Sequence, residues 1–261
     1  MDAVATFRRV AGMPTADTKL EPAVDYGFFG PDSMTWRVWS YPTSLLLGFA
    51  RAVTIEHLDP YLAAAVDASG QVYARTRLRY DRTMQYFALV AFGDAEAVLD
   101  ASEILVKIHG KAIGTEPITG KQFDANDPYS QLWIHLTAWH SILYTYEMFG
   151  PGKLTEAEEL QYWEECARAA EFQTINPDDV PRTREGIQQY FEGYRPQMAG
   201  SEVAQNMMNY LVDLGYHILP ERVPSSALPN VGPSVVLVPR PTCRVVSTPS
   251  RTTTMGTISE G

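Results

Sequence analysis

From about residue 43 onward, apolar residues recur at three- and four-residue spacing, and no alternating strand pattern of any length precedes residue 230. Capping signals divide this pattern into elements. Thr43 or Ser44 opens a helix that runs through about Glu56, and Asp59 followed by Pro60 starts the next. A helix over about 75–92 stops at Gly93. Asp94 then caps another over about 95–112, which ends before Gly114. Segment 115–127, with its Glu-Pro, Thr-Gly and Asn-Asp pairs, reads as a loop. A long helix over about 129–149 is terminated by Gly150-Pro151-Gly152. Thr155 and Glu158 match a capping box and open a helix to about 171, and two more helices fit 183–194 and 201–214. The pattern predicts an all-α fold of roughly eight helices.

Both ends of the chain break this pattern. Residues 1–35 are rich in Pro, Gly and Asp and read as an arm that wraps the domain. Residues 220–261 hold seven of the 18 prolines and finish in a Ser/Thr run, the composition of a disordered tail, although Val235–Val238 would suit a short strand. The helical domain is therefore expected over 36–219. Its 45% apolar content suffices for a core. A net charge of -10 argues against nucleic acid as a partner, because a duplex-binding face needs clustered Lys and Arg. The two cysteines, Cys166 and Cys243, are far apart and form no metal-binding pair, which suits a reducing compartment. No signal peptide is evident, and Arg51 interrupts the longest apolar stretch, 45–53. A soluble cytoplasmic protein without a transmembrane segment is the expectation.

Candidate chemistry gathers on three helices. His109 shares a helical face with Val98, Leu105 and Ala112, so an imidazole stands in an apolar stripe. Spacing alone allows two readings: a buried histidine satisfied by a hydrogen bond, or an axial ligand to a metal or haem. One helix earlier, Arg79, Arg82, Thr83 and Tyr86 follow i, i+3, i+4, i+7. This face is either a solvated charged surface or a site for an anion or oxygen. On the helix 129–149, His135 aligns with Trp139, Ile142 and Tyr146, an arrangement closer to an aromatic pocket wall than to a zinc site. HExxH, GxSxG, Walker and GxGxxG motifs are absent, and the Glu158-Glu159 and Glu164-Glu165 pairs read as a solvated helix face.

Five segments occur in order: FGPDSMTWRVW, EHLDPYLAAAV, RYDRTMQYFALVAFGDAEAV, ILVKIHGKAIG and DPYSQLWIHLTAWHSILYTYEMFGPGKLTEAEELQYWEE. Together they resemble the rubber oxygenase catalytic domain family, which includes latex clearing protein, over about 28–196. The resemblance implies a single multi-helix domain, globin-like in packing, around one haem b. It implies His109 as the iron ligand, with Arg79, Arg82 and Thr83 as catalytic groups of the distal pocket. Arg79 and Arg82 would also contact the cofactor, and His135 would line the pocket. Latex clearing protein has Lys at the place of Arg82, and Arg does not readily become a neutral iron ligand. Glu56 or His57 would supply a further polar group.

The implied activity is haem-dependent oxidation, or oxidative C=C cleavage, of an apolar and isoprenoid-like small molecule with O2. A different class stays open at this level: a non-catalytic haem-binding or helical interaction protein.

Overall fold

The structure is a computed structural model that describes residues 25–69, 71–116 and 119–212. The tail 220–261, His217, Cys243 and the first 24 residues of the arm lie outside the described residues.

The helices are α1 (Met34–Trp39), α2 (Pro42–Glu56), α3 (Pro60–Ala68), α4 (Gln71–Ala74), α5 (Thr76–Phe92) and α6 (Ala95–His109). After a hairpin come α7 (Pro128–Phe149), α8 (Glu156–Ala170), α9 (Arg184–Tyr194) and α10 (Glu202–Val212). The hairpin strands are β1 (Ile113–Thr115) and β2 (Gln122–Asp124), antiparallel with Gly114 opposite Phe123. The all-α expectation holds. Most predicted starts do too, because the side chains that signal them also cap: Asp59 accepts from Leu62 N, Asp94 from Ala97 N, and Thr155 and Glu158 close a capping box.

Three elements depart from the expected pattern. Segment 115–127 is not all loop, since β2 lies within it. Helix α6 stops at His109, three residues early, as Gly110 and Ala112 turn the chain into β1. Helix α1 was not expected; Glu165 on α8 accepts from the backbone of Met34 and Thr35 in its first turn. The glutamates read as a solvated face are thus tethers. Glu165 holds α1, Glu164 pairs with Arg182, and Glu158 pairs with Arg37. The described part of the arm, 25–33, is likewise fixed. Asp25 accepts from Ala95 N, and Phe28 and Phe29 pack on Phe172 and Trp139.

Helix α7 runs through the middle and is buried on nearly every side from Gln131 to Tyr146. No described helix is long and apolar enough to cross a membrane. Helix α2 lies close against α7 because Gly48 has no side chain. A Cβ there would stand 2.7 Å from the Ile142 Cα. Gly193 on α9 faces open space, with nothing within 4 Å of its would-be Cβ. The same substitution should therefore act with opposite signs. Gly48→Ala is expected to destabilise by about 1–3 kcal/mol through overpacking. Gly193→Ala should stabilise by about 0.5–1 kcal/mol through chain entropy. Urea midpoints shifting in the same direction would contradict the close α2–α7 approach.

Acid sensitivity has a local source. The Thr155 backbone N–H and hydroxyl, together with Arg37, hold the Glu158 carboxyl down at about 2, against an ordinary 4.5. A depressed carboxyl stabilises the fold above its unfolded pKa, and that contribution fades as pH falls from about 4.5 to about 2. Glu158→Gln should therefore narrow its stability gap to the parent chain over that interval, as read by denaturation at stepped pH.

Candidate active site

The candidate residues sit at the C-terminal ends of α2 and α6 and in the first half of α5. His109 closes α6. Its helix end is held from outside: Asn126 Nδ2 donates to Val106 O at 2.9 Å, and Ala125 N donates to Ala112 O at 3.1 Å. From the first turn of α7, the Gln131 amide nitrogen lies 3.4 Å from His109 Nδ1 and also donates to Ala125 O. Gln131 is 3% exposed, so this contact is sheltered. Burial and the positive charge of Arg79 depress the His109 pKa, while Asp124 opposes them, so the imidazole is neutral near pH 7.

Arg79 is the charge shared by the site. Its field depresses the pKa of His57 as well as that of His109, in each case after burial. Solvent reaches the Arg79 side chain, yet dense surrounding protein lowers its own pKa, as befits a guanidinium in a recess. Its Nη1 donates to Ser69 Oγ at 3.4 Å. One turn on, Thr83 Oγ1 donates to the Arg79 carbonyl at 2.9 Å, which fixes the helical turn carrying the guanidinium. Arg82 is exposed, and among the described residues it makes no ion pair or hydrogen bond. The structure keeps Thr83 beside Arg79 and turns Arg82 toward solvent, and the field of Arg79 reaches His109 without a direct bond between them.

His135 lies elsewhere. It is 3% exposed, its Nε2 donates to Cys166 O at 2.8 Å, and its ring packs on Trp139. These contacts point into the α7–α8 seam, and burial pushes its pKa down to about 4. Its apolar stripe was legible, but α7 is buried all round, so facing inward did not mean facing the site. Trp133 and Trp139 are also core. Trp133 stacks on Tyr194, and Trp139 packs with Trp39 and Tyr162.

Two further groups stand at the end of α2. The Glu56 carboxyl accepts from Thr137 Oγ1 at 3.1 Å, and burial pushes its pKa up to about 7. Thr137 has a single hydroxyl proton facing three acceptors: Glu56, Trp133 O at 2.9 Å and Ile134 O at 2.9 Å. A protonated Glu56 relieves that shortage by donating. His57 is 4% exposed, with Nδ1 2.7 Å from Val53 O. Gln131 had no sequence signal, because a glutamine in a first helical turn is ordinary.

A separate open cleft of about 540 Å³ lies between Phe28, Phe29, α8 and residues 177–182. Glu164, Glu165, Arg168 and Arg182 line it, several of them already paired with one another or with α1. None of the sequence-predicted site residues reaches it.

The described residues form a helical domain with one short hairpin. The chain belongs to the family described as ER-bound oxygenase mpaB/B'/Rubber oxygenase, catalytic domain, whose model matches residues 36–258. The match covers most of the chain and runs on into the Pro- and Ser/Thr-rich segment. No curated protein and no solved structure matches the chain significantly.

Proposed function

We propose that this oxygenase domain is haem-dependent and oxidises an apolar, unsaturated small molecule with O2. The reading is supported by membership of an oxygenase family, with His109 as a half-buried imidazole whose pKa is depressed by burial first and by the Arg79 charge second. The residues fit a haem. Both site imidazoles are held neutral, and a single imidazole can hold iron when a porphyrin brings the remaining donors. Exposed apolar side chains stand on the same helices, Leu46 and Leu47 on α2 and Ile104 and Ile108 on α6, and a macrocycle would cover surface of that kind.

When bound, haem supplies the one-electron and O2 chemistry. The protein's part is binding and electrostatics. His109 would hold the iron, and ligation through Nε2 would require the hydrogen to sit on Nδ1. In this structure the Gln131 amide nitrogen faces Nδ1, so the amide or the ring would have to turn for that tautomer. Arg79 would stabilise negative charge as it develops on oxygen, because its guanidinium stays charged and donates in a fork. Thr83 fixes the turn that carries Arg79, and Arg82 is available to pair with a haem propionate. An acidic chain with two cysteines suits a cytoplasmic setting.

The test is O2 uptake by the haem-loaded protein with a farnesyl-chain lipid and with its saturated analogue. Uptake is expected with the unsaturated lipid only. Arg79→Ala should reduce it about 10²–10³-fold while haem stays bound. Equal uptake with both lipids would remove the C=C reading. Haem bound without any uptake would point to a non-catalytic haem protein.

A further inference from the structure

Arg51 is a half-buried cation that pairs with no carboxylate among the described residues. It stands on α2, and α7 holds one side of its guanidinium. Its Nη1 donates to Ser141 Oγ at 2.6 Å and lies 3.3 Å from His140 Nδ1. Its Cζ lies 4.5 Å from the centre of the Tyr144 ring. These contacts orient the guanidinium and use both hydrogens of Nη1. The other edge of the fork, Nε and Nη2, has no partner among the described residues, and solvent reaches it.

The neighbouring arginine is different. Arg184 also acts on His140, but it meets Glu147 at 2.6 Å and Glu159 at 2.9 Å. Its charge is spent. Burial lowers the Arg51 pKa, and Tyr144 alone opposes it. A partly desolvated guanidinium without a counter-charge gains from an anion that brings two oxygens to its open edge. One uncompensated charge, with two glutamates close by, suits a singly charged carboxylate better than a doubly charged phosphate.

An apolar strip leads away from this charge. Helices α2 and α7 run antiparallel, since Arg51 meets Ser141 while Thr145 Oγ1 donates to Ser44 O. Leu47 lies one turn before Arg51, and Met148 one turn after Tyr144, so both are displaced from the guanidinium in the same direction. Leu47, Tyr144 and Met148 are 41%, 40% and 58% exposed. The surface therefore presents a charged head position and an apolar track beside it.

We infer that this α2–α7 surface binds an amphiphile with a single carboxylate, a fatty acid in the simplest case, its head on the open edge of Arg51 and its chain along Leu47, Tyr144 and Met148. The inference is independent of the haem reading.

The experiment is calorimetric titration of the full chain with decanoate, decanol and acetate. Decanoate should bind about 10–100-fold more tightly than decanol, the worth of hydrogen bonds to a charged group. Acetate, which lacks the chain, should bind at least about tenfold more weakly than decanoate. Arg51→Gln should abolish the preference for decanoate over decanol. Leu47→Ser, at an exposed position, should weaken decanoate about 3–10-fold and leave acetate unchanged. Equal binding of decanoate and decanol by the parent chain, or binding of neither, overturns the inference. So does a preference that survives in Arg51→Gln, or parent affinity for decanoate in Leu47→Ser. Should Arg51→Gln fail to fold, the ligand comparison and Leu47→Ser still decide. Haem uptake is untouched by any of these outcomes.

Discussion

A chain carrying His109→Ala is expected to keep its helices and lose most of its haem. The imidazole is half-buried at the last position of α6, and the features that end the helix do not depend on it. Gly110 N donates to Val106 O at 2.9 Å, Asn126 holds the same carbonyl, and Gln131 keeps its bond to Ala125. Stability should therefore fall by no more than about 1–2 kcal/mol, within the usual range for a single substitution. Haem affinity should fall further than the ~10–100-fold typical of losing an outer-shell partner, because on the proposed reading the bond lost is to the iron itself. The measurements are circular dichroism and the Soret absorbance that survives gel filtration. A variant that retains the parent Soret band would place the principal ligand elsewhere, whereas loss of helicity would make His109 structural.

Trp133→Ala should produce the largest loss of stability, about 3–5 kcal/mol. Trp133 is fully buried and stacks on Tyr194 with ring centroids 4.0 Å apart and planes 8° apart. It meets Phe191 edge-on, and its indole N–H donates to Glu56 O at 3.4 Å. One side chain thus joins α7 to α9 and to the end of α2. Removing it leaves a cavity and takes the donor from a helix-terminal carbonyl. Tyr129 provides the control. It stacks on the same Tyr194 at 5.3 Å but is 46% exposed, so Tyr129→Ala should cost less than about 1 kcal/mol, as an exposed aromatic pair does. Urea denaturation that shows equal losses for the two variants would mean that this stack is not part of the core. The Trp133 loss would also reach the site, because Glu56 precedes His57.

What could be read from the chain alone was whatever neighbours within four residues decide. Asp94, Asp59 and the Thr155–Glu158 pair fixed helix starts because each cap bonds an amide two or three positions away. The order of the arginine helix before the histidine helix was legible for the same reason, and so was the apolar stripe through Val98 and His109. What lay beyond reach was every choice between distant partners. Helix α1 is held by Glu165, 130 residues away from Thr35, and no local pattern contains that bond. Two three-residue strands are too short to show alternation. For His135, periodicity established burial but not direction, since α7 has neighbours on all sides. Only packing could decide that His135 serves the α8 seam and that Arg82 meets solvent. Helical period sets which residues share a face, whereas the residues opposite that face are set by the fold.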